Sequence, residues 1–110
     1  MTNASFDAFK SLDIRVAEIK AAEDIPGAEK LYKLVVDIGG EEKELIAGIK
    51  KYYEKDKLTG KKIIVLTNLL PKTIKGVTSH GMLLAAVTAE MADVVLLTVD
   101  KDVPAGTNVS

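Results

Sequence analysis

Ser79 and His80 are the residues of this chain that come nearest to a nucleophile and its base, within the stretch NLLPKTIKGVTSHGMLLAA from Asn68 to Ala86. Neighbours on an extended chain point to opposite sides and nothing nearby orients the imidazole, so the pair does not read as a catalytic dyad. Glu41, Glu42 and Glu44 crowd an expected hairpin, where a solvated face explains them better than acid-base chemistry. DIGGEEKE has glycines but lacks the Gly-Lys-Ser/Thr that completes a phosphate-cradling loop. The chain has no Cys and a single His, so neither a thiolate zinc site nor a multi-histidine metal cluster is available. No enzyme and no cofactor are expected.

The same stretch is better equipped to hold nucleic acid. Lys72 and Lys75 can meet phosphates as point charges, Asn68 and Ser79 can exchange hydrogen bonds with sugar or base edges, and Gly76 and Gly81 let a backbone approach closely. Met82 offers an adaptable apolar surface to an unstacked base. Turn-making is the alternative for Asn68 and Ser79, and core filling is the alternative for Met82. A formal net charge of −1 argues against holding nucleic acid by bulk attraction, yet the charges are unevenly spread. Eight lysines stand between Lys50 and Lys75 against Glu54 and Asp56, whereas Glu90, Asp93, Asp100 and Asp102 face only Lys101. That asymmetry predicts a basic face able to steer an anion.

These side chains need a scaffold, and 110 residues suffice for one domain, 1–110, with a single core that buries roughly two-thirds of the unfolded surface. The N-terminus lacks a secretion signal, no apolar run is long enough to span a bilayer, and the absence of cysteine suits a reducing cytoplasm, the expected location. Phe6, Phe9 and Leu12, behind the possible caps Asn3 and Ser5, predict a short helix. DIRVAEIKAAEDI reads as one long strand with a bend near Glu18, and LYKLVVDIGGEEKELIAG as a hairpin turning at Gly39-Gly40. IKKYYEKDKLTGK carries a helical pattern ending at Gly60. KIIVLTNLL, MLLAAV and DVVLLTV read as further strands, and DKDVPAGTNV as a closing turn. Strand, hairpin, helix and further strands is the order of an all-β fold with short helices, a five-stranded OB-fold Greek-key barrel. Such barrels commonly hold single-stranded or irregular nucleic acid.

LDIRVAEI, GAEKLYKLVVDIG, AGIKKYY, LTGKKIIVLTNLLPKTIKGVTSHGMLLAA and DVPAGT together resemble the structure-specific tRNA-binding domains. That family includes free-standing dimeric proteins, the C-terminal domain of many methionyl-tRNA synthetases, and the C-terminal domain of the endothelial-monocyte-activating polypeptide precursor. The likeness runs from about Phe6 to Gly106 and is most specific in Asn68-Leu69, Pro71, Gly76, Ser79, Gly81-Met82 and Ala85-Ala86. It implies an OB-fold with a C-terminal extension that builds a homodimer, binding to the outer corner of the L-shaped tRNA, and methionyl-tRNA synthetase as a possible partner. Residues matching the family's tRNA-binding face are Lys30, Asn68, Ser79 and Met82, with Arg15, Lys72 and Lys75 as weaker candidates; Met82 thereby shifts from core to contact. His80 departs from the Gln or Glu more usual there. A second branch, the export-related chaperone CsaA, shares fold, size and dimer and implies binding of unfolded polypeptide instead. The Ser-x-Gly-Met followed by Leu-Leu-Ala-Ala favours the tRNA branch.

Overall fold

A computed structural model describes residues 2–110. Its first element, α1 (Phe6–Lys10), starts where Ser5 Oγ accepts a hydrogen bond from the Ala8 N–H at 3.0 Å, so Ser5 rather than Asn3 is the cap. None of its residues is buried.

The architecture rests on β1 (Ile14–Ile25), whose two halves serve different partners. Residues Ile14–Glu18 pair antiparallel with β4 (Lys62–Leu66), and Glu18–Ile25 pair with β2 (Ala28–Asp37). The strand changes partner where its register slips between Ile19 and Ala21, just past the bend expected near Glu18. β2 continues into β3 (Glu42–Ala47) through the expected glycine turn, which Asp37 Oδ1 holds by accepting from the Gly39 and Gly40 N–H groups at 2.8 and 3.0 Å. Beyond β4 lies β7 (Met82–Leu83), giving the path β3-β2-β1-β4-β7. Two hydrogen bonds link the edge strand β3 to the chain just before β7: His80 N–H donates to Glu44 O at 2.9 Å, and Ile46 N–H donates to Ser79 Oγ at 3.0 Å. The mostly-β expectation is met, with five antiparallel strands wrapped around one core rather than a fully laddered closed barrel.

Ile19, Leu34, Val36, Leu45, Ile49, Leu58, Ile63 and Val65 fill that core and are almost wholly removed from water. Two expectations need correction. The helix read into IKKYYEKDKLTGK is only a short 3-10 turn, Lys55–Lys57. Tertiary anchors override its helical pattern: Ile49 and Leu58 are buried, the Tyr53 hydroxyl accepts from Leu96 N–H at 3.0 Å, and Asp24 pairs with both Lys50 and Lys55. MLLAAV is not one strand. Leu84 interrupts it by donating its N–H to Ile64 O, after which β8 (Ala85–Val87) leaves the main sheet to pair with β9 (Val94–Leu96). The C-terminal turn forms around Pro104 and Thr107 and delivers β10 (Asn108–Val109) to the start of β1.

Candidate nucleic-acid interface

The loop that links β4 to β7 is itself folded. β5 (Lys72–Ile74) and β6 (Val77–Ser79) form a tight hairpin in which Lys72 faces Ser79, Ile74 faces Val77, and the Thr73 and Thr78 hydroxyls lie 2.9 Å apart. Lys75 and Gly76 make the two-residue turn, both at positive φ, 52° and 81°. That geometry matches the twist of the strands and suits Gly76, but it is unusual for a lysine. The sequence reading missed this hairpin, which places Lys72 at its base and Lys75 at its tip.

The hairpin leans over β2 and β3. Under it lies an apolar depression of about 450 Å³, lined by Leu31, Ile46, Leu69, Leu70, Ile74 and Met82, with Ser79 and Lys72 also contributing. A shallower groove continues from it through Leu31 and Ile74 to Lys30 and Lys75, with Glu29 the single acid on its wall. The fold thus brings together five candidates: Lys30, Lys72, Lys75, Ser79 and Met82. Met82 is 48% exposed, which removes it from the core. Gly81 lets the chain enter β7 at this depth, since a Cβ there would come within 2.7 Å of Leu66 O. The sequence reading placed Leu69 and Leu70 at the end of the strand KIIVLTNLL, but β4 stops at Leu66 and both leucines lie in the loop beyond it, where Leu70 is 91% exposed.

Lys30, Lys72 and Lys75 form no ion pair among the described residues, whereas much of the basic run is neutralised. Lys50 and Lys55 pair with Asp24, Lys57 with Glu54, and Lys62 with Asp102. Half of the eight lysines are thus matched to acids, two of them to the same Asp24, while Lys51, Lys61, Lys72 and Lys75 are not.

Asn68 and Ser79 use their polar atoms internally. Asn68 Oδ1 accepts from Asp13 N–H at 2.9 Å while its Nδ2 donates to Ser11 O at 2.7 Å, fastening the β4 end to the α1–β1 junction. Ser79 Oγ accepts from Ile46 N–H and donates to Gly81 O at 2.9 Å, so it is engaged with the backbone and not with the His80 ring. Each keeps some capacity: Asn68 one N–H and a lone pair, Ser79 a lone pair. Arg15 lines neither depression. Its Nε donates to the Asp13 carboxylate at 2.9 Å, and Asp13 also accepts a short hydrogen bond from the Thr67 hydroxyl. The Thr67 hydroxyl, followed by Arg15, holds the Asp13 carboxyl below its ordinary pKa despite some desolvation.

A fold of this kind with a lysine-rimmed apolar face belongs to a known class. A family model described as a putative tRNA binding domain matches residues 14–108, and the chain belongs to that family. It is 48% identical over 109 residues to a methionine–tRNA ligase of Methanocaldococcus jannaschii, and 44% identical over 109 residues to that of Pyrococcus furiosus. In both cases 99% of the chain is matched, but it spans only 17% and 15% of those proteins' lengths. Among solved structures, a MetRS related protein from Pyrococcus horikoshii superposes with a TM-score of 0.92 at 40% identity, covering all of both chains. The chaperone CsaA from Bacillus anthracis superposes with a TM-score of 0.89 at 33% identity, covering 99% of this chain and 100% of that one.

Proposed function

We propose that this chain is a non-catalytic module that binds tRNA by shape at the outer corner of the L, through the face carrying Lys30, Lys72, Lys75 and Met82. The observation that carries this reading is an apolar depression with the unpaired Lys72 on its wall, continued by a groove that holds the unpaired Lys30 and Lys75, in a chain of the tRNA-binding domain family. Asn68 and Ser79 contribute chiefly by fixing the loop, with their residual hydrogen-bonding capacity turned to the RNA; Arg15 acts from the margin. The module works in the cytoplasm as a homodimer. Exposed Val95 and Leu97 on and beside β9, with Val87 and Met91, supply the apolar surface that such pairing covers.

Relatives that are methionine–tRNA ligases support a partnership with methionyl-tRNA synthetase, in which a second tRNA site raises avidity by roughly two to four orders of magnitude when linked. The test is aminoacylation by that synthetase at limiting tRNA. Adding the protein should lower the KM for tRNA with little change in kcat; unchanged kinetics and unchanged tRNA affinity would remove the helper role. The structural likeness to CsaA favours a second reading, polypeptide binding, for which the apolar depression supplies a surface. Phosphate contacts release counterions and make affinity fall steeply with salt, whereas apolar capture of a denatured polypeptide does not.

A further inference from the structure

We propose that the depression beneath the β5–β6 hairpin is a pocket for one unstacked nucleobase, an inference that rests on the tRNA-binding reading and adds the group this face takes. Its volume of about 450 Å³ falls within the roughly 300–1,000 Å³ of small-ligand sites. The walls are aliphatic: Leu31 and Ile46 from β2 and β3, Ile74 from the hairpin, and Leu69, Leu70 and Met82 from the chain around it. Leu70 stands 91% exposed, which places a large apolar side chain in water. A base stacked inside its own helix offers no free face, but an everted one does, and burial of that face is favourable whatever its edge.

The polar groups choose the occupant. Lys72 lines the pocket itself, and Lys30 and Lys75 line the groove that continues from it. An apolar bowl with one unpaired cation on its wall and two more in the groove that continues from it matches a ligand with an apolar face and negative charges next to it, which describes a nucleotide within a strand. An apolar peptide would fill the bowl and leave the ammoniums unused. Ser79 is the other polar side chain on the wall, and its hydroxyl is committed to Ile46 N–H and Gly81 O. The pocket therefore has few means of reading a base edge. It accepts any base and holds purines more tightly through their larger faces.

The experiment is a scan of abasic substitutions through the two loops that form the outer corner of a tRNA, with affinity measured by fluorescence anisotropy. One position should lose about tenfold on removal of its base, while exchange of that base for another should change affinity less than about threefold. Leu70→Ala and, separately, Met82→Ala should shrink the abasic penalty at that position. Both side chains are exposed enough that the fold should persist, which circular dichroism checks. Tight, salt-sensitive binding of intact tRNA with no base position mattering would overturn the pocket and leave the tRNA reading standing. Failure to bind tRNA at low salt would overturn both. A denatured polypeptide whose binding is lost in Leu70→Ala would assign the pocket to peptide and overturn the inference.

Discussion

Lys30, Lys72 and Lys75 make no ion pair among the described residues, and they differ from the other unpaired lysines in lining the apolar depression or the groove that continues from it. A cation left free on the surface is available to a phosphate, and each phosphate neutralised releases counterions. Replacing any one of the three by alanine should weaken tRNA binding and flatten the plot of log affinity against log salt by about 0.7–0.9. Lys57→Ala, which removes a paired lysine distant from the pocket, should leave the slope unchanged. The acids give a separate prediction. Asp37 is held below its ordinary pKa chiefly by the Gly39 N–H, Asp24 by Lys55, and Asp13 by the Thr67 hydroxyl. Each carboxyl binds its proton less tightly folded than unfolded, so its contribution is complete above the unfolded value near 3.9 and is lost as pH falls through the lower folded value. Urea midpoints should hold steady from pH 7 to about 5 and drop below about 4. Asp37→Asn, which keeps an acceptor but removes the titration, should make that drop shallower. Residue types on the proposed binding face were legible in the sequence, but the internal hydrogen bonds of Asn68 and Ser79 were not. Asn68 meets partners 57 and 55 positions away in the chain, at Ser11 and Asp13, and nothing local announces such a contact.

The β5–β6 hairpin is the element on which the site depends. It carries Lys72 and Lys75 and one wall of the pocket, and its tip uses a lysine at φ 52° where an L-residue is disfavoured. Lys75→Asn would place the favoured Asn-Gly pair in this turn and should recover on the order of 0.5–1 kcal/mol of the roughly 1–2 kcal/mol lost in the left-handed region. Urea denaturation should therefore show a more stable protein, and tRNA titration a weaker binder; a variant that gains stability and keeps full affinity would show that Lys75 is not a contact. Strands with long apolar runs, such as KIIVL in β4, were readable from sequence because burial on both faces leaves little else for them to be. The hairpin was not, because each arm has three residues and its turn reads Lys-Gly instead of Asn-Gly. The expected helix before β4 failed for the opposite reason. Its local pattern was visible, while the anchors that override it, Tyr53 to Leu96 and Asp24 to Lys50 and Lys55, come from distant strands.

At the scale of the whole molecule, a net charge of −1 leaves little long-range attraction for RNA, so affinity must come from a local arrangement. Lys50, Lys55, Lys57 and Lys62 pair with acids, whereas Lys72 on the pocket wall and Lys30 and Lys75 in the adjoining groove pair with none and keep their charge available there. The mostly-β antiparallel architecture was legible from the order and length of apolar runs, whereas this selection among lysines depends on which acids the fold brings near. The central claim is that the hairpin face recognises folded tRNA. The most direct measurement titrates the protein against intact tRNA, an isolated anticodon hairpin and a denatured polypeptide at several salt concentrations. The account predicts tight binding to intact tRNA that falls steeply with salt, and weak binding to the other two. Equal affinity for the anticodon hairpin, or salt-insensitive binding to the polypeptide alone, would contradict it.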